Sequence, residues 1–353
     1  MFTAKNPIKE QFLKEQAEIE KMLSGVNNTR SFFAKDSEAG VFYYNMLEKI
    51  DNVIYKPLSR FYWLEAMPIS YGGGAVEFAS FFKVNYLAQD ANKNTASGNQ
   101  NVITQVRTEI NKVRTVVRAY SWKIDIGWID QMKYEQVGAD IMSLLDEGVR
   151  KFYNQKLDDV AFFGFVNEGE ATAYGIANNP NVPVTDATNT FDLATPIQIF
   201  DNLNALAMSV LKKIDYSREL VPNHFLVPPE IYSYLVSPMV IGSGTGQAGV
   251  AMSVLEYFNN SNVIKTMYGY DDIMILPVVY LSTIGTSKQG RIICYCYDER
   301  AIRLPLCMEL TKGASMFDIN NMSWATPYVT FIGAPQFVYP STIAYMDKVL
   351  PSA

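Results

Sequence analysis

Three consecutive stretches decide the fold: VEFASFFKVNY (residues 76–86), AQDANKNTASGNQN (88–101) and YSWKIDI (120–126). In the first, Val76, Phe78, Phe82, Val84 and Tyr86 alternate with Glu77, Lys83 and Asn85, the period of a strand with one apolar face. In the third, Tyr120, Trp122, Ile124 and Ile126 alternate with Ser121, Lys123 and Asp125. The stretch between them holds no large apolar residue and reads as a solvated tip. Residues 76–126 are therefore predicted to form one long β-hairpin with a polar end. A two-stranded ribbon is not stable alone in water, so its apolar face must rest on its own core or on another molecule. Gly72, Gly73 and Gly74 stand just before it and mark a hinge.

The return strand carries Arg107, Lys112, Arg114 and Arg118, with Glu109 as the opposing acid. Arg107 and Lys112 are an odd number of residues apart, so the four cannot share one face of a regular strand. Two readings stay open: a solvated surface, or a partner for acids on a neighbouring copy.

Outward from the hairpin, residues 8–23 read as a charged amphipathic helix and 41–58 as a second helical stretch. After the hairpin, residues 129–164 contain no proline, and Val137, Ile141, Leu144, Leu145, Phe152, Leu157 and Val160 follow one stripe. This is one long helix, or two broken at Gly138 or Gly148. Pro196 opens an amphipathic helix through Ile199, Leu203, Leu206, Val210 and Leu211. Short β-rich runs fill 273–280, 291–297, 302–310, 328–332 and 335–339, which points to an α+β chain without alternating βαβ units.

Composition removes several functions. The 353 residues are 48% hydrophobic and 19% charged with a net charge of −6, so a phosphate-neutralising nucleic-acid face is not expected. The single histidine, His224, excludes a two-histidine zinc site, and no nucleophile motif surrounds it. Cys294, Cys296 and Cys307 read as packed small hydrophobes, the first two on one strand face. Asp158-Asp159 reads as a solvated helix face, and neither Asp271-Asp272 nor Asp298-Glu299 comes with a metal-ligand set. No secretory leader or membrane span is expected, since the longest uncharged run, 273–287, is short and broken by Pro277 and Gly285. Gly244-Thr245-Gly246-Gln247-Ala248-Gly249 matches a dinucleotide fingerprint, with Asp271 and Asp272 further on. The run before it is too short for a confident first strand, and Gly242, Gly244, Gly246 and Gly249 read equally as a flexible loop.

The order of hinge, long hairpin, long helix and β-rich final third resembles the major capsid protein of tailed bacteriophages, a fold shared by bacterial encapsulins. Phe162-Phe163-Gly164 through Tyr174-Gly175-Ile176-Ala177-Asn178-Asn179-Pro180 is similar to the segment that leaves the spine helix in several capsid subfamilies. Asn223-His224-Phe225-Leu226-Val227-Pro228-Pro229-Glu230 resembles the first axial strand and the helix after it, and Ala334-Pro335-Gln336-Phe337-Val338-Tyr339-Pro340 the closing strand.

The resemblance implies an N-terminal arm at 1–45 and an extended hairpin loop at 72–125. It implies a peripheral domain at 46–71, 126–220 and 301–337 with the spine helix at 128–164, and an axial domain at 221–300 and 338–353. Gly242, Gly244, Gly246 and Gly249 would lie in an axial loop. The implied function is self-assembly, through pentamers and hexamers, into an icosahedral head shell that encloses phage DNA without reading its sequence. Such a shell forms in the bacterial host cytoplasm and becomes the virion capsid. No catalytic residue, cofactor, metal or membrane is implied. Inter-subunit contacts would fall on Phe78, Phe82, Val84, Tyr86, Arg107, Lys112, Arg114 and Arg118. Scaffold, portal and decoration proteins would be separate chains. Covalent cross-linking through Lys93 or the asparagines near it is not assigned. An encapsulin-type compartment and a nucleotide-dependent oxidoreductase built on 244–249 are the alternatives.

Overall fold

The alternation at 76–126 becomes two strands of unequal length, because the returning strand is used twice. The structure, a computed structural model, describes residues 57–88, 96–97, 100–101, 106–137, 141–241, 250–271 and 273–351. The chain divides into two units, Met1–Ser59 and Arg60–Ala353. The first, with the expected arm, lies almost wholly outside the described residues, as do Lys93, Gly242, Gly244, Gly246 and Gly249.

The second unit opens with α1 (Trp63–Ala66) and β1 (Ile69–Tyr71). The hairpin supplies β2 (Phe78–Ala88), the short β3 (Ala96–Ser97) and β4 (Gln100–Asn101), and β5 (Val106–Gly127). Two helical stretches follow, α2 (Trp128–Val137) and α3 (Ile141–Phe163); residues 138–140 between them lie outside the described residues. Next come β6 (Val184–Asp186), α4 (Pro196–Lys213), β7 (His224–Val227) and α5 (Pro229–Leu235). Then β8 (Pro238–Ile241), β9 (Val250–Ser253), α6 (Val254–Ser261), α7 (Val263–Tyr268) and β10 (Met274–Pro277). The chain closes with β11 (Ile292–Tyr295), β12 (Ile302–Lys312), β13 (Met316–Asp318), β14 (Ser323–Gly333), β15 (Gln336–Phe337) and β16 (Ile343–Asp347).

Among the described residues two larger sheets form. The first runs β1-β12-β14-β5-β2, with β13 on β14 and β15 on β12; the second runs β10-β7-β11-β16-β6. Within β5, residues 117–127 pair with β14 and residues 106–116 pair with β2, both ladders without a register shift. Helix α3 covers the inner half of this strand: Ile124 and Ile126 pack with Val149 and Tyr328, and Trp122 meets Tyr153 edge to face at 6.2 Å. The C-terminal half of α3, with Leu157, Val160, Ala161 and Phe162, is buried where the two sheets meet, against Tyr295, Leu304, Ile332 and Tyr345.

Helix α4 carries the predicted stripe. Ile199, Leu203, Leu206, Val210 and Leu211 are all buried against Phe225, Ile292 and Ala344 of the second sheet. Thr195 and Gln198 cap its start reciprocally, and Pro196 occupies the first turn. Strand β6 pairs with β16, so β6 and α4 go with the second sheet although they precede its other strands in the chain. The reason is long-range: β6 is held by backbone pairing to the last strand of the chain.

Two acids depart from expectation. Asp158 is fully buried and not on a solvated face: its Oδ1 accepts the backbone N–H of Tyr62 at 2.9 Å and of Trp63 at 2.7 Å, capping α1 from another helix. Burial pushes its pKa up to about 6. Asp347 is equally buried but bound by Arg291 through Nε at 2.7 Å and Nη2 at 2.8 Å, and by Thr286 N–H and Oγ1–H. Burial raises its pKa, but these donors outweigh it and hold the carboxyl below its ordinary range. The three cysteines are free and buried, as read. Cys294 and Cys296, however, pack in different cores, because β11 ends at Tyr295.

The turn after α3 explains the pattern of glycines and asparagines at 164–180. Gly164 (φ +68°) and Gly175 pack back to back, so a Cβ on Gly175 would stand 2.2 Å from the Phe162 carbonyl carbon and oxygen. Asn178 closes the turn, accepting from Gly175 N–H at 2.7 Å and donating to Phe163 O at 2.9 Å. Tyr345 donates to Ile176 O at 2.5 Å, and Arg291 donates to Ala177 O at 2.7 Å.

Gly175→Ala is expected to destabilise the subunit by about 3 kcal/mol, the upper end of overpacking costs. Gly148→Ala, on α3 with nothing near its missing Cβ, should stabilise it by about 1 kcal/mol. Denaturant unfolding of the two variants reads both signs. Asp158 titrates upward from about 4 in the unfolded chain to about 6 in the folded one, so stability falls as pH rises through that window. Asp347, Glu168 and Asp146 have depressed values and lose stability as pH falls, below that window. Asp158→Asn keeps the capping oxygen and should flatten the pH 4–6 slope of the unfolding free energy; Asp159, raised by burial, retains part of it.

Candidate assembly surface

The hairpin leaves the body between two fixed points. On the outgoing side Gly72, Gly73 and Gly74 all have positive φ (115°, 115° and 68°), which no other residue adopts easily. Gly72 N–H donates to Leu306 O at 3.2 Å and Gly74 N–H to Cys307 O at 3.0 Å. The glycines thus turn the chain while β12 holds two of their amides. On the return side Glu168 gathers three donors. Arg118 Nη1 lies 2.7 Å from Oε2, Tyr120 O–H donates at 2.8 Å, and Lys156 of α3 pairs with Oε1. Arg118 also reaches Glu170 at 3.2 Å. Burial raises the Glu168 pKa, but these donors outweigh it and the carboxyl sits below its ordinary range. Arg118, expected among the inter-subunit contacts, makes its ion pairs inside the chain.

Beyond this root the two faces differ. On the odd-numbered face Phe81 is buried under Arg303, whose guanidinium stands 5.8 Å from the ring, and Lys83 lies 5.7 Å from the Tyr339 ring. Gln336 donates to Thr115 at 2.7 Å. A groove of about 540 Å³ runs beneath, between Phe81, Ile214, Leu220 and Tyr339. This face of the ribbon's base rests on its own body.

The even-numbered face does not. Phe78, Phe82, Val84 and Tyr86 are exposed, Phe82 at 66% and Tyr86 at 76%, and Ile110, opposite Val84, joins them. Lys112 pairs opposite Phe82, with Nζ 5.7 Å from its ring, and Arg114 opposite Ser80. Arg107 has the other parity and lies on the other face, as its spacing required. The surface is an apolar stripe edged by two cations. Sequence reasoning missed Ile110 and the Glu168 clamp; Ile110 alternates with Glu109 and Asn111 and was legible, whereas Glu168 is some fifty residues from Arg118 and Tyr120.

The other candidates resolve as structural. His224 stacks on Tyr297 at 4.5 Å, and burial pulls its pKa down to about 4. Strands β8 and β9, on either side of the glycine fingerprint, pair antiparallel with each other, so the fingerprint does not join a strand to a helix as a dinucleotide site requires. Asp271 pairs with Lys265 and Asp298 with Arg300. Among the described residues no group of three histidines, cysteines or acids could hold a metal ion, and no helix is long and apolar enough to cross a membrane.

The family described as "Major capsid protein" matches residues 92–349, from the hairpin tip to the last strand. The chain belongs to the major capsid protein family. Solved structures share its α+β fold. The capsid of Myoviridae phage XM1 is 13% identical, with 86% of this chain and 97% of that one covered at a TM-score of 0.69. A structure from Mycobacterium phage Cain gives 9%, 90%, 99% and 0.58, and an encapsulin complex of Synechococcus elongatus PCC 7942 gives 12%, 87%, 95% and 0.51. At these identities the likeness carries the fold alone. No curated protein matches in sequence. In this capsid protein the β5 side of the stripe lies within the matched residues, whereas Phe78, Phe82, Val84 and Tyr86 of β2 precede them.

Glu168→Ala removes the shared acceptor of Arg118, Tyr120 and Lys156. We expect a loss of about 1–2 kcal/mol, between the worth of an exposed and a buried ion pair. Amide exchange at residues 116–120 should quicken while that of β11 and β16 stays unchanged.

Proposed function

We propose that this capsid protein builds a closed icosahedral head shell from copies of itself, each laying its hairpin over a neighbour. The observation that carries the reading is the even face of β2 and β5: large apolar side chains, fully formed as a strand face, that nothing in the described chain covers. Monomers rarely leave such a stripe open without a use. Pentamers and hexamers would form around the axial segment 221–300, with the peripheral segment outside and the arm at 1–45 reaching a further copy. Phe78, Phe82, Val84 and Tyr86 supply the contact area. Lys112 and Arg114 meet acids on the neighbouring copy, with Arg107 on the reverse face; Arg118 holds the root in place. The glycines at 242–249 form the axial loop. Many modest contacts then sum over a closed symmetric shell.

The activity is association, with no catalytic step and no cofactor. The net charge of −6 suits a shell that encloses DNA without gripping it. Assembly takes place in the host cytoplasm, with scaffold, portal and decoration proteins as separate chains. The encapsulin alternative shares the fold.

Phe82→Asp with Tyr86→Asp alters two side chains that are mostly exposed, so the unfolding free energy of the subunit should move by no more than about 0.5 kcal/mol each. Hollow particles, which the wild type is expected to show under negative stain, should be lost. Shells at wild-type yield from this variant would remove the stripe's role.

A further inference from the structure

A helix as short as α1 holds no shape by its own hydrogen bonds, yet side chains of distant elements grip it at both ends. At its start Tyr62 supplies no cap, and Asp158 of α3 takes the N–H groups of Tyr62 and Trp63 on one oxygen. At its end the Tyr295 hydroxyl of β11 donates to Ala66 O at 2.6 Å, and Tyr297 O–H donates to Leu64 O at 3.2 Å. Ala66 and Met67 are fully buried, and Leu304 N–H of β12 donates to Pro68 O at 2.9 Å just beyond. Residues 57–60, immediately ahead, are exposed. Asp158 is costly to keep. Its Oδ2 is buried without a hydrogen-bond partner among the described residues, and a carboxylate in that state opposes folding. What the chain gains from it is the first turn of α1.

The first unit ends at Ser59 and the second begins at Arg60, so α1 starts three residues after that boundary. On α3, Lys156 pairs with Glu168 at the hairpin root, and Asp158 holds α1. Residues two apart on a helix point to different sides, so one turn of α3 grips both. We infer that Asp158 is a positioning residue for assembly: it ties the point at which the arm leaves the body to the turn of α3 that holds the hairpin. The two extensions that a copy offers its neighbours are then set by one rigid element. Loosening α1 leaves the hairpin in place and spoils the relation between them.

The inference rests on the shell reading, and the experiment separates the two. Wild-type protein must first form shells; if it forms none, the shell reading fails and takes the inference with it. Asp158→Ala removes the acceptor, whereas Asp158→Asn keeps one at Oδ1. In unassembled subunits of the alanine variant, amide exchange at residues 62–66 should quicken about tenfold or more, as for a lost buried hydrogen bond to a charged group. Its shell yield should fall about tenfold, since every copy repeats the loss. The asparagine variant should keep both at wild-type values. Tyr295→Phe frees the other end of α1 from β11 and should lower the yield too, which keeps the test open if the alanine variant does not fold. Leu203→Ala, a core truncation in α4 away from α1, should destabilise the subunit and leave its shell yield unchanged. Wild-type yield from Asp158→Ala or from Tyr295→Phe overturns the inference. So does an asparagine variant as defective as the alanine one, or a Leu203→Ala variant that loses its shells to the same extent.

Discussion

One unbroken strand sets the terms for everything else. β5 runs 22 residues without a bulge against either partner, bonded to β14 over its second half and to β2 over its first. Because side-chain parity is preserved along it, the face that α3 covers at Trp122, Ile124 and Ile126 is the same face that carries Lys112 and Arg114 and their β2 neighbours outside. The helix ends its cover at the root. The apolar requirement does not end there, and under the proposed function a second molecule supplies what the helix no longer does.

The root divides rigid from pliant. Glu168 ties β5 to α3, and β12 holds two amides of the glycine turn, so neither end of the ribbon is a free pivot. A glycine triplet read from sequence means freedom; with its N–H groups bonded it means a fixed reversal of direction that only glycine can make. In the proposed function, bending that fits the ribbon to a neighbour falls within residues 106–116, the two-stranded part where twist is soft. Charges concentrated on one carboxylate hold this junction more firmly than isolated surface pairs would, since three donors share a single partly desolvated acceptor.

What was legible follows from how local the cause is. The alternation in 76–86 and 120–126 is a period-two signal and survived intact, as did the five-residue stripe of α4, because each reports one face of one element. β16 was invisible for the opposite reason: all five of its residues are buried, so it shows no alternation, and it reads as a short apolar run. Asp158 misled because adjacent acids on a helix usually face water. The donors that make its burial tolerable come from Tyr62 and Trp63, almost a hundred residues earlier. Arg118 could not be separated from Lys112 and Arg114 by spacing, since all three share a face; only Glu168 and Glu170 distinguish it. The glycines at 164 and 175 stood out by resemblance, while their cause, two backbones in contact, is a tertiary fact.

The exposed stripe and the far end of the body are not independent, because one strand joins them. β5 begins in the ribbon beside Phe78, Phe82 and Tyr86 and finishes at Gly127, next to Trp128 and opposite Ser323 of the β14 hairpin. At about 3.3 Å per residue it is roughly 70 Å long. A hydrogen-bonded strand does not stretch, so in the proposed shell a copy held by its ribbon has its reach to a neighbour already fixed. Differences in curvature around a shell then have to be absorbed by rotation at the surfaces and twist in the free ribbon. An apolar stripe suits that demand, since contacts made by buried area tolerate small rotations that directional polar contacts do not.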